Sequence, residues 1–168
     1  RFEGPHRIRV GSKTLHARSF IVTTGSVPQR VPIPGLEEIG YITSDEALEL
    51  RELPRSMLVL GGGAVATELG QFFCRLGTRT TLIQRSDHIF SDCDEDMAHP
   101  VEARFREEGM AVYTSTRLTR FTKKNGLITA HFLQDGKRRR ASAEVVFQAL
   151  GRVPNLDGLQ LEKAGVQI

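Results

Sequence analysis

At 168 residues, with 39% hydrophobic and 26% charged residues, the chain has room for one ordinary globular domain, or one domain with pieces of a neighbour attached. No apolar run is long enough to span a bilayer, so a membrane partner is not expected, and the polar start Arg1-Phe2-Glu3-Gly4 does not read as a signal peptide. Net charge is +3 and the sequence pI is near 9.1, a mild excess drawn largely from Lys137-Arg138-Arg139-Arg140. That run follows the turn pair Asp135-Gly136 and has no aromatic residues interleaved, so it reads as a solvated hairpin strand and no nucleic-acid partner is expected.

Arg7–Val10 and Ser19–Thr23 read as short strands. Thr24-Gly25-Ser26 follows, and Pro28, Pro32 and Pro34 then mark a linker or crossing strand, because proline cannot donate to a ladder. Thr43-Ser44-Asp45-Glu46 offers a helix start that continues through Ala47, Leu48 and Leu50 towards Pro54. Met57-Leu58-Val59-Leu60 is a continuous apolar run, as expected for a parallel strand buried on both faces.

Glycines follow at once, and Val65, Leu69, Phe72, Phe73 and Leu76 then recur at helical spacing. Gly77 ends that helix, Arg75 sits in its last turn, and Thr80–Ile83 is the next strand. Strand, turn, helix and strand together predict a right-handed parallel crossover. Asp94-Glu95-Asp96 supplies acceptors to start a further helix, in which Pro100 marks either a kink or the first turn, and Gly109 ends it. Strands are expected at Met110–Tyr113, Leu118–Thr122, Leu127–Leu133, Lys137–Ser142 and Val145–Phe147, with hairpin turns at Asn125-Gly126 and Asp135-Gly136. The fold class is α/β: a Rossmann-like parallel sheet plus an antiparallel β-meander.

Gly61-x-Gly63-x-x-Ala66 lies after the buried strand and opens the amphipathic helix, the context that gives this pattern its meaning. Gly61 permits the tight turn and Gly63 lets backbone approach a pyrophosphate. Ala66 allows close packing of helix on strand, and the helix N-terminus favours the anion. Gly62 completes the turn. The competing reading is a glycine turn that only solves a packing problem.

A carboxylate about twenty residues on would accept hydrogen bonds from an NAD ribose; Gln84-Arg85 stands there instead. Arg85 is either a surface arginine or a partner for a 2′-phosphate, a charge-assisted contact worth about 1.5–3 kcal/mol. NADP is therefore favoured over NAD.

None of the five histidines belongs to a ligand set, so no metal site is expected. His88 reads as a solvated loop residue, with a place near the adenosine end as the alternative. Cys74 and Cys93 lack metal or redox spacing, and Cys74 reads as a small hydrophobe on a helix face. Two unpaired cysteines favour a reducing, cytoplasmic compartment.

Four stretches, in order, resemble the pyridine nucleotide-disulfide oxidoreductases, a family that includes mercuric and glutathione reductases and dihydrolipoamide dehydrogenase. They are Ile21–Ser26 with Pro28 and Pro34-Gly35; Thr43-Ser44-Asp45; Gly61 through Glu68-Leu69-Gly70; and Ala149-Leu150-Gly151-Arg152-Val153-Pro154-Asn155. The resemblance implies a nicotinamide-nucleotide domain at 41–150 inserted in a flavin domain, with 1–40 closing the first flavin segment and 151–168 beginning the return.

It implies further that Thr24 and Gly25 face the flavin nucleotide of FAD, that Gly63, Ala64 and Val65 wrap the pyrophosphate of the nicotinamide nucleotide, that Glu68 lies near both redox rings, and that Gly151 lies against the nicotinamide. A homodimeric parent is implied too. Ala64 stands where these reductases often carry an aromatic over the flavin, so no gate is expected there. The family's first flavin-binding glycine motif and its cysteine pair with four intervening residues do not occur in the sequence, and Cys74 and Cys93 cannot replace that pair. The chain opens on Arg1 and is read as an excised piece. Its expected role is to place NAD(P)H for hydride transfer to FAD; the alternative is a non-enzymatic nucleotide-binding regulatory module. The Gln84-Arg85 end and the segment around Phe90 look more like mercuric reductase than dihydrolipoamide dehydrogenase.

Overall fold

The computed structural model describes all residues, Arg1–Ile168. In chain order the first elements are β1 (Phe2–Gly4), β2 (Arg7–Val10), β3 (Lys13–His16), β4 (Ser26–Pro28), α1 (Leu36–Ile39) and α2 (Ser44–Leu48). Then come β5 (Ser56–Leu60), α3 (Ala64–Arg75), β6 (Arg79–Ile83), α4 (Glu95–Glu107) and β7 (Ala111–Tyr113). The chain ends with β8 (Thr116–Lys124), β9 (Leu127–Gln134), β10 (Lys137–Ala143), β11 (Val145–Gln148), β12 (Arg152–Pro154) and a 3-10 turn at Leu161–Ala164. Two compact units divide the chain: Arg1–Val27 with Arg152–Ile168, and Pro28–Gly151.

In the smaller unit β1, β2 and β3 form an antiparallel sheet, and β4 pairs with β12. Phe2 is buried against the edge of Phe20, with ring centroids 5.3 Å apart. The expected strand at Ser19–Thr23 does not form. A strand needs a neighbour for its backbone groups, and β2 is already flanked by β1 and β3. Ile21 is 90% exposed.

The larger unit has three layers. Its central sheet runs β11-β5-β6-β7, with every neighbouring pair parallel, as the predicted crossover requires. Met57, Leu58, Val59 and Leu60 of β5 are wholly buried. Alternation along the strand divides them: Met57 and Val59 pack with Ala66 and Phe73 of α3, Ala98 and Phe105 of α4, and Phe147. Leu58 and Leu60 pack against Phe121, Ile128, Ala130 and Phe132 of the meander β8-β9-β10, closed at one end by Leu36 and Ile39. Burying each such aliphatic side chain contributes about 1.5–3 kcal/mol.

Several expectations change here. Helix α3 buries Ala66, Thr67, Gly70 and Phe73, while Val65, Phe72 and Leu76 remain exposed. The helix sits so near β5 that Gly70 has room for only a Cβ, 3.5 Å from Val59. Small residues therefore make the contact together with Phe73, and Val65, Phe72 and Leu76 are displaced to the flank. Helix α2 stops at Leu48, which is 70% exposed, rather than running towards Pro54; its capping box, Thr43 with Glu46, fixes the start. Pro100 lies inside α4, beyond the first turn, where it removes one helical hydrogen bond. Asp94 is the N-cap of α4, although its side chain makes no capping bond. His88 is not solvated: its side chain is 12% exposed, with Nδ1 2.6 Å from the Ile89 carbonyl.

The C-terminal ends of α3 and α4 meet at Glu108. Arg75 donates to both of its oxygens at 2.9 and 2.6 Å, Gln71 at 2.9 Å and Arg104 at 2.7 Å. The Arg75 bond above all, then that from Gln71, holds the carboxyl at about 2 against an ordinary value of 4.5. A depressed folded-state pKa gives stability that is complete above the unfolded value and is lost as pH falls through the folded one. Glu108→Gln should therefore lower stability at pH 6, and the deficit should shrink between about pH 4.5 and 2. Urea unfolding at both ends of that range measures it; a gap independent of pH would assign the loss to packing.

Candidate functional site

The carboxyl ends of β5, β6 and β11 open into one cleft of 610 Å³ within the larger unit, bordered also by the start of β8. Ligands in open α/β folds bind outside the carboxyl ends of parallel strands, and the volume is that of a small-molecule site.

Each strand end contributes a different kind of group. After β5, Gly61 takes φ +108° and donates its N–H to the Ile83 carbonyl at 3.0 Å. Gly62 is buried, its carbonyl accepting from the Phe90 N–H at 2.7 Å. Gly63 is the exposed N-cap of α3, and a Cβ placed there would meet nothing within 4 Å. No side chain caps this helix, and the N–H groups of Ala64, Val65 and Ala66 have no intrahelical acceptor. These donors and the positive end of the dipole face a space free of protein atoms, which suits an anion.

After β6, the Gln84 side chain folds back on its own loop: Oε1 accepts from the Arg85 N–H at 3.1 Å, and Nε2 donates to the His88 carbonyl at 3.4 Å. Gln84 is thus a loop-former as well as a wall of the cleft. Arg85 is exposed, lines the cleft and makes no ion pair, unlike Arg75, Arg104 and Arg106. After β11, Gly151 takes φ +114°, and its carbonyl accepts from the Gln29 N–H at 2.9 Å. Gln148, buried one turn of chain earlier, fixes that rim by donating to the Gln29 carbonyl at 2.6 Å.

The fold thus brings together Gly61, Gly62, Gly63, Gln84, Arg85 and Gly151. Ala64, Val65 and Glu68 lie exposed on the first turns of α3 outside the cleft wall, and Ala66 is buried beneath it. Thr24 and Gly25 belong to the smaller unit, where the Thr24 hydroxyl donates to the Asn155 carbonyl at 2.6 Å and the Gly25 carbonyl accepts from the Asn155 N–H at 2.9 Å. The sequence reading missed Thr116 and Arg117 of β8 and Ser91 and Asp92 of the loop before α4, all of which line the cleft. No motif marks them; Thr116 and Arg117 follow closely on the end of β7, and Ser91 and Asp92 are returned to the cleft by the loop after β6, where the Phe90 N–H donates to the Gly62 carbonyl.

The whole chain, residues 1–168, matches the family model described as pyridine nucleotide-disulphide oxidoreductase. It is 37% identical to the mercuric reductase of Staphylococcus aureus over 95% of this chain and 29% of that protein. It is 38% identical to the dihydrolipoyl dehydrogenase of Thermus scotoductus over 100% of this chain and 37% of that protein. The chain therefore spans about a third of the length of these relatives. The structure superposes on the HOCl-induced flavoprotein disulfide reductase RclA from Escherichia coli with a TM-score of 0.87 at 24% identity, over 99% of this chain and 38% of that one, a likeness of fold alone. Sequence and fold agree: the chain belongs to the flavin-dependent pyridine nucleotide-disulfide oxidoreductase family.

Proposed function

We propose that this chain binds NAD(P)H, with NADP(H) preferred, and places the nicotinamide for hydride transfer to FAD in a larger flavoenzyme. The observation that carries the reading is the uncapped N-terminus of α3 beneath the open face of Gly63, at the mouth of a cleft along the ends of parallel strands.

The residues fit a dinucleotide. Gly63 and the N–H groups of Ala64 and Val65 hold the pyrophosphate, Gly61 and Gly62 shape the turn, and Ala66 keeps α3 against β5. Gln84 holds the loop that presents Arg85 to the adenosine end, and Gly151 borders the nicotinamide. Glu68, exposed and free of ion pairs, is the carboxylate beside the two redox rings. When bound, the nicotinamide supplies a hydride and the flavin accepts it; the chain's part is to bind, orient and exclude water.

Residues 41–150 form the nucleotide domain on this reading, with 1–40 and 151–168 belonging to the flavin-binding part. That part is represented here by Thr24 and Gly25, and no glycine turn of the Gly61 kind opens a helix in the smaller unit. The parent is a homodimer on this reading. Cys74 and Cys93, both free, suit a reducing cytoplasm, and no helix is long and apolar enough to cross a membrane. Mercuric reductase and dihydrolipoyl dehydrogenase relatives match at nearly equal identity, so residues beyond this chain select the final electron acceptor.

Arg85→Ser tests the coenzyme preference. It should weaken NADPH binding roughly tenfold to a hundredfold, the cost of one charge-assisted contact, and leave NADH within about twofold. Equal losses for both coenzymes would sink the 2′-phosphate role. A flavin-free protein that binds NADPH without any partner flavoenzyme would favour a regulatory module instead.

A further inference from the structure

We infer that Arg117, on a different element from Arg85, is the second arm of a clamp for the 2′-phosphate of NADP(H); the inference rests on the coenzyme reading above. The backbone stitches the two positions together. The Gln84 carbonyl accepts from both the N–H and the hydroxyl of Thr116, at 3.1 and 2.8 Å, and the Ser86 carbonyl accepts from the Ser115 N–H at 2.7 Å. Each bonded pair flanks an arginine, Arg85 between Gln84 and Ser86, Arg117 immediately after Thr116. Ser115 adopts φ +53° to make this turn.

Both arginines consequently line the main cleft, and both line a shallower depression of 470 Å³ that continues from it. Neither forms an ion pair. The lining contains the carboxylates Asp92 in the cleft and Asp135 in the depression, and neither forms an ion pair with either guanidinium. Two uncompensated guanidinium groups on one rim repel each other, and a ligand of charge near −2 removes that repulsion. A phosphate monoester concentrates this charge and three terminal oxygens on one phosphorus, enough for two planar forks, whereas each phosphorus of a diester pyrophosphate carries one charge and two non-bridging oxygens. The cleft also separates the two kinds of phosphate: the helix N-terminus at Gly63 serves the diester, and the Arg85–Arg117 rim serves the monoester.

The test measures dissociation constants for NADPH and NADH, and for the fragments 2′,5′-ADP and 5′-AMP, on the full-length protein carrying this chain. Wild type, Arg117→Ser, Arg117→Lys, Arg85→Ser and the double serine variant are compared. Arg117→Ser should weaken NADPH and 2′,5′-ADP about tenfold or more while NADH and 5′-AMP stay within about twofold. Arg117→Lys should recover part of the loss, because the charge remains and the fork is gone. A 31P titration of bound 2′,5′-ADP should show the 2′-phosphate pKa rising in the serine variant. If Arg85→Ser weakens NADPH and Arg117→Ser does not, the clamp is wrong and the coenzyme reading stands. If wild type binds NADPH no better than NADH and neither serine variant changes that, the coenzyme reading fails and takes the clamp with it. Equal weakening of all four ligands by Arg117→Ser would also overturn the clamp.

Discussion

Gly61→Ala is expected to destabilise the larger unit by about 3 kcal/mol or more, summing backbone strain of roughly 1–3 kcal/mol with overpacking of similar size. Two independent features of the turn produce the effect. The backbone at Gly61 takes φ +108°, where L side chains are strained whatever the space around them. The added methyl would also run into the Ala149 carbonyl oxygen, a backbone atom at the end of β11 that no rotamer change can move aside. Relief would require β5 and β11 to separate, yet they are held by a parallel ladder that ends in the Ala149 N–H bond to the Leu60 carbonyl at 2.9 Å. A domain's whole stability is about 5–15 kcal/mol, so the loss should appear as a large fall in the urea midpoint with little change in slope. A loss under about 1 kcal/mol would mean that the strand ends relax freely, and the rigid-turn account would be wrong.

That turn also shows what was legible in the sequence. Met57–Leu60 could be read as a doubly buried strand because every residue is apolar, and Gly77 could be read as a helix end because glycine follows the last apolar residue of the helical pattern; it takes φ +98° there. The meander was legible from Asn125-Gly126 and Asp135-Gly136, since each pair carries the positive φ that a tight hairpin needs. The buried face of α3 was legible only in part. Periodicity pointed to Val65, Leu69, Phe72, Phe73 and Leu76, of which Phe73 is buried and Leu69 packs against the core, but what decides a helix lying this close to a strand is the space left to Ala66 and Gly70. A count of apolar residues cannot supply that distance.

Ser19–Thr23 failed for a related reason: β-propensity identifies residues that suit a strand and says nothing about whether a neighbour is there. The site divided in the same way. Gly61, Gly63 and Arg85 were local signals, one turn and one strand end. Thr116 and Arg117 enter only because β8 begins beside the end of β6, a pairing of residues about thirty positions apart that topology alone creates.

Gly63→Ala should do the opposite of Gly61→Ala: leave the fold nearly intact and remove nucleotide binding. Gly63 has φ −77°, ordinary for alanine, and a Cβ there touches no protein atom within 4 Å. The folding cost is limited to the weaker N-cap, at most about 1 kcal/mol. The same Cβ would stand in the space through which a pyrophosphate must approach the N–H groups of Ala64 and Val65. Holding the diester one methyl radius further away forfeits at least one hydrogen bond to a charged group, about 1.5–3 kcal/mol, so affinity should fall roughly ten- to a hundredfold. Because the pyrophosphate is common to both coenzymes, NADH and NADPH should lose by the same factor, unlike the selective loss expected for Arg85→Ser. Titration of each coenzyme beside a urea melt separates the cases. A glycine turn that served packing alone would give the reverse pattern, with binding unchanged in Gly63→Ala, and that result would end the proposal that this helix terminus holds a nucleotide.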